Sequence, residues 1–138
     1  MPAEFNEQFA AAAAAMVATE IGRQDRMWGA SNERADTSKD QLQQAAAASL
    51  ALVMAKKVNE EGKLLHPDRL IAGIREDVYP DDWAGFRDYG SDIANLAVAA
   101  AYIQQEIKRK LALGEDYTRT SRTAAQPYGA DQPYVIEK

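Results

Sequence analysis

The chain has 138 residues, of which 46% are hydrophobic, and its 16 basic and 21 acidic side chains leave a formal charge of −5. That length suits one domain with a core of its own, and the negative balance disfavours general attraction to nucleic acid or an anionic membrane surface. No cysteine is present, which excludes disulfides and thiolate metal sites. No run approaches the ~20 apolar residues that span a bilayer. Residues 1–8 lack the positive start of a secretory signal, so a cytoplasmic protein is expected. Much of the hydrophobic content is alanine and only three residues are Phe. The apolar volume is therefore modest, and close helix packing, including packing across a dimer, uses it best.

Residues 4–28 read as a first helix. The alanine run at 10–15 supplies helix propensity without bulk, and Phe9, Ala13, Val17, Ile21 and Trp28 mark an apolar face. Gly29 follows as a terminator. Gln24 projects within about 20° of Val17, and Glu20 lies about 60° away on the edge of the face. A glutamine so placed is expected to be buried against a neighbouring helix.

Residues 29–37 (GASNERADT) form a polar loop. Ser38 with Gln41 makes a capping-box pattern for a second helix reaching to about residue 61, where Gly62 ends it. Leu42, Ala46, Leu50 and Val53 are expected to face inward, and Ser49 falls near that face. Pro67 after His66 suits the start of a short third helix carrying Leu70, Ile71 and Ile74 and closed by Pro80. His66 has no histidine partner, so it reads as a surface or cap residue rather than a zinc ligand. Asp81 and Asp82 then precede Trp83 and Phe86, which with Tyr79 and Tyr89 form an aromatic cluster over a helix interface. Trp83 is the member placed to stack on a base.

Residues 88–113, DYGSDIANLAVAAAYIQQEIKRKLAL, carry the longest helical pattern. Tyr89, Ile93, Leu96, Ala100, Ile103 and Ile107 fall on one face, which is expected to point inward. On that assignment Leu96→Ala destabilises by roughly 2–5 kcal/mol. Asp92 lies on the flank of this face, Asp88 sits one turn earlier, and Gly90 falls within the helix. After Gly114 the pattern stops. Residues 115–138 hold two QPY triplets, whose prolines argue against a regular helix. They read as an extended tail on the body or on a partner subunit, beside a helical domain at 1–114. The expected fold is all-α: an antiparallel bundle of three main helices with a short connecting helix.

The chemistry-bearing residues are acids near inward faces. Asp88 and Asp92 are i,i+4 neighbours that repel unless a positive group intervenes. Magnesium, which takes oxygen ligands, is one such group, with Glu20, Asp40, Asp88 and Asp92 as the metal set. Arg87, Arg23 and Arg26 are the others, and they turn the same acids into a salt-bridge network. Should a metal bind, a nucleoside triphosphate is a natural substrate. Arg23, Arg26, Arg34 and Lys39 would then neutralise its phosphates. No glycine-rich phosphate loop is present, and the lone His66 leaves no Ser–His–Asp relay.

The runs IGRQDRMWG (21–29), DQLQQAAAASLALV (40–53) and FRDYGSDIANLAVAAAYIQQEIKR (86–109) resemble, in order and character, small phage and bacterial relatives of the MazG-like nucleotide pyrophosphohydrolases. The resemblance spans about residues 17–112. It implies a helical magnesium enzyme that cleaves nucleoside triphosphates to monophosphate and pyrophosphate and assembles as a dimer or tetramer. It also implies Asp92 and Glu20 as the catalytic acids. The chain departs from the family pattern at the second helix, where Asp40 is followed by Gln41, Gln43 and Gln44 instead of a Glu-Glu-x-x-Glu run. It departs again at the last helix, where the acids are four apart and Asn95 takes the third-residue position. Glu33 and Asp36 in the loop are alternative acids. The competing expectation is a non-catalytic, oligomeric helical interaction protein.

Overall fold

Small residues bring two helices close enough to make a core. The computed structural model describes residues 3–28, 40–59, 64–81, 83, 85–120 and 133–134. Its elements are α1 (Ala3–Trp28), α2 (Gln41–Asn59), α3 (Pro67–Asp77) and α4 (Asp92–Ala112). The short strands β1 (Arg119–Thr120) and β2 (Pro133–Tyr134) pair antiparallel. The fold is all-α, a helix bundle with a two-residue ladder in the tail. Gly29, Ser38, Gly62, Asp82 and the QPY segment at 126–128, which carried expected boundaries, lie outside the described residues.

Helices α2 and α4 run antiparallel: Asp40 at the start of α2 lies beside Arg109 near the end of α4, and Lys56 near the end of α2 meets Asp88 just before α4. Leu42, Ala45, Ala46 and Ala48 of α2 form one buried cluster with Val98 and Tyr102 of α4 and with Tyr79, and Leu52, Ala99 and Ala101 are buried as well. Alanines at the contact let the backbones approach, so dispersion contacts replace side-chain bulk. Helix α1 lies along the other side of α4. Its residues 13–18 stand opposite Ala100 and Gln104, and Ile21 stands opposite Gln104, Ile107 and Leu111. The two therefore run in the same direction.

The connections are set by side chains reaching backbone. Asn59 ends α2 and accepts from the N–H groups of Leu64 and Leu65 at 3.2 and 2.7 Å while donating to the Leu65 carbonyl at 2.7 Å. His66 caps α3, its Nδ1 accepting from the Asp68 N–H at 3.2 Å, and Pro67 occupies the first turn. Tyr79 packs on Phe86 (5.0 Å between centroids) and on Trp83 (6.2 Å), and Trp83 packs on Tyr102 (6.3 Å). These rings close one side of the α2–α4 core, as expected of the aromatic cluster.

Two expectations are corrected. The last helix begins at Asp92, capped by Ser91, whose Oγ accepts from the Ala94 N–H. Gly90 at φ +101° therefore precedes the helix, and so does Asp88. More consequentially, α4 is turned around. Ile93 (63%), Leu96 (44%), Ile103 (43%) and Ile107 (54%) are exposed, while Asn95, Val98, Ala99, Tyr102, Gln105, Glu106 and Arg109 are buried. The two faces are about 135° apart on a helix of 100° per residue. In α2, Leu42 and Ala46 are buried as expected and so is Ser49, but Leu50 is exposed. In α1, Gln24 is buried, Val17 and Ile21 are half-buried and Phe9 is exposed.

Candidate functional site

Three groups of polar side chains line the helix seams, and the acids singled out in the sequence are divided among them. In the α1–α4 seam, Arg23 Nε donates to both carboxylate oxygens of Glu20, at 2.9 and 3.1 Å. Its Nη2 also reaches Glu20, and it donates to the Tyr89 hydroxyl at 3.2 Å. The guanidinium lies 5.5 Å from the centroid of the Tyr89 ring, and Arg87 approaches the same ring at 5.9 Å. One turn on, buried Gln24 meets Gln105, whose Nε2 donates to Gln24 Oε1 at 3.5 Å and to Asp25 Oδ1 at 3.0 Å. The spacing that placed Gln24 inside is thereby satisfied by a glutamine on the facing helix.

The second group gathers around Asp88. Its Oδ1 accepts from the Gly90 N–H at 2.8 Å and from Asn95 Nδ2 at 2.9 Å, and Lys56 Nζ lies 2.8 Å from Oδ2. Asn95 Oδ1 in turn accepts from the Tyr89 N–H at 3.0 Å. Partial burial pushes the Asp88 carboxyl up, but the bonds from Lys56, Asn95 and Gly90 outweigh it and hold the group below the usual carboxylate range. The Lys56–Asp88 pair borders a cavity of about 170 Å³ walled by Leu52, Asn59, Pro67, Leu70 and Ile71.

The third group lies toward the C-terminal end of α4. Buried Glu106 accepts from Arg109 Nε at 2.5 Å, and Arg109 Nη2 lies 3.9 Å from Asp40 Oδ1. The other oxygen of Glu106, Oε2, is buried and accepts no hydrogen bond among the described residues. Asp40 itself is exposed and holds φ +65°, the left-handed region.

The remaining candidates are scattered. Asp92 is exposed in the first turn of α4, where an acid suits the helix dipole. Arg26 is exposed, Trp83 is half-buried among the aromatic rings, and Arg34 and Lys39 lie outside the described residues. Among the described residues no three of His, Cys, Asp and Glu gather to hold a metal ion. The oxygens of Glu20 are bonded by Arg23, and those of Asp88 by Lys56, Asn95 and the Gly90 N–H. Sequence reasoning passed over Lys56, Asn59, Gln105, Glu106 and Arg109. The repeat 95, 98/99, 102, 105/106, 109 is as regular as the isoleucine stripe, and its polar members are the signal that marks them.

No family model, no curated protein and no solved structure matches the chain. Among the described residues no helix is long and apolar enough to cross a membrane.

Proposed function

We propose that the chain works as a non-catalytic, oligomeric helical interaction protein of the cytoplasm. One observation carries this reading: α4 turns its polar residues into the protomer and its large aliphatic residues out of it. Burying Asn95, Gln105, Glu106 and Arg109 while Ile93, Leu96, Ile103 and Ile107 meet water is unfavourable for an isolated domain, because apolar area drives burial. The arrangement becomes favourable when a partner covers the aliphatic face. The locking of Glu20 by Arg23 and of Asp88 by Lys56 agrees with a structural network. Light scattering over a range of concentrations tests the reading. An assembly larger than 15 kDa per particle is expected, and a monomer at every concentration overturns it.

A second reading, the magnesium-dependent nucleoside triphosphate pyrophosphohydrolase of the family resemblance, is favoured by Glu106. A buried carboxylate oxygen without a donor is costly, and it lies near Asp40, which the polar loop bearing Glu33, Arg34, Asp36 and Lys39 leads into. Pyrophosphate release from nucleoside triphosphates with Mg²⁺ tests it. Release that is lost in Glu106→Gln supports the enzyme, and no release from any triphosphate removes it.

A further inference from the structure

Residues 5–16 of α1 are each exposed, with Ala13 and Ala14 at the edge of α4 beside Ala100 and Gln104, so among the described residues the N-terminal half of this helix buries little of its surface in its own protomer. A helix of that length is marginal in water without tertiary contacts. Its large side chains, Phe5, Phe9 and Met16, stand about half exposed, and the two rings stack at 6.5 Å. Beyond them the α1–α4 seam opens in two adjoining pockets that share Gln104. The first is walled by Ala13, Ala14, Val17, Ala18, Ala100 and Gln104, and the second by Ile21, Ile107 and Leu111.

Resting on the interaction-protein reading, we infer that the occupant of this seam is the α1 helix of a second copy, laid antiparallel about a two-fold axis through Ala13. An isologous contact must be self-complementary, and the spacing of α1 meets that condition. Reflecting residue numbers about 13 sets Phe9 opposite Val17 and Phe5 opposite Ile21. The large rings of one copy thus fall where the other is half-buried and grooved, and the alanine run at 10–15 meets itself at the crossing. In that place Phe9 of the partner subunit covers Val17 and Ile103, and Phe5 of the partner subunit covers Ile21, Ile107 and Leu111.

Area and helix dipoles argue for the same occupant. The exposed large side chains of α1 and the C-terminal half of α4, with the alanines between them, offer roughly 600–700 Å² per protomer, within the ~600–1,000 Å² each partner brings to a stable interface. Glu7 lies near the start of α1 and Arg26 in its last turn, while Glu20, Arg23 and Asp25 stand between them. Antiparallel pairing opposes the two helix dipoles.

The absence of cysteine makes the register directly readable. Ala13→Cys in the full chain is expected to form an intermolecular disulfide under mild oxidation at least tenfold faster than Ala47→Cys, an exposed α2 position, because only side chains on the axis bring two Cα atoms within ~7 Å. A mixture of Phe9→Cys and Val17→Cys should cross-link faster than either alone. Circular dichroism checks that each variant keeps its helices. If light scattering finds an oligomer while Ala13→Cys links no faster than Ala47→Cys, this register is wrong and the interaction reading stands. A monomer throughout overturns both.

Discussion

At the scale of single residues, Asn95 has the most to lose. It is 1% exposed and joins three groups: the Tyr89 N–H, Asp88 and, through Asp88, the Lys56 ammonium. Removing it leaves the partly buried Tyr89 N–H without this acceptor and takes a donor from a partly buried carboxylate. Asn95→Ala is therefore expected to cost about 2–4 kcal/mol, measured by urea unfolding at pH 7. Asp88 supplies the pH dependence. Its folded pKa lies below the unfolded value, so its contribution is complete above the ordinary aspartate pKa near 3.9 and is lost as pH falls through the lower folded value. Stability should drop below about pH 4, and Asp88→Asn should be less stable than the parent at pH 7 yet approach it at pH 3. Equal differences at both pH values would show that Asp88 acts through packing alone. Tyr102 and Tyr79 are held up by burial. They add stability that is full below about pH 10 and falls as pH rises past it, since the unfolded chain ionises first.

At the scale of elements, the two faces of α4 make opposite predictions for similar substitutions. Leu52 is 1% exposed, and Leu52→Ala should destabilise by roughly 2–5 kcal/mol through lost burial and a residual cavity. Leu96, expected inside from its spacing, is 44% exposed, so Leu96→Ala should change protomer stability by less than about 1 kcal/mol. Chemical denaturation of both variants at low protein concentration checks the pair. A large loss for Leu96→Ala would return the aliphatic stripe to the core. Helix existence was legible for all four helices from periodicity, from the Pro67 start of α3 and from the stop at Gly114. The orientation of α4 was not. Two interleaved repeats run along it, and the more hydrophobic one drew the assignment, whereas the one with Asn95, Gln105 and Arg109 is the one that meets α1 and α2.

At the scale of the whole molecule, large aliphatic side chains stand outside and alanines inside. If the proposed association holds, linkage makes the melting temperature rise with protein concentration. Ile107→Glu, which sets a charge on the exposed stripe at a position 54% exposed, should remove that rise while leaving the dilute melting temperature within a few degrees. Thermal scans over a hundredfold range of concentration test this, and a flat dependence in the parent chain would count against association.

The amino-acid pattern alone determined the all-α class, the helix start at Pro67, the inward position of Gln24 and the end of regular helix at Gly114, because each depends on neighbours within a turn or two. It also identified acids that need a positive partner. For Asp88 the partner was settled only by segments distant in sequence coming side by side, since it meets Lys56 on α2, whereas Glu20 pairs with Arg23 three residues along its own helix. A helical repeat fixes which residues share a face. It does not fix which face its neighbours occupy, and that choice rests on contacts summed over the whole bundle.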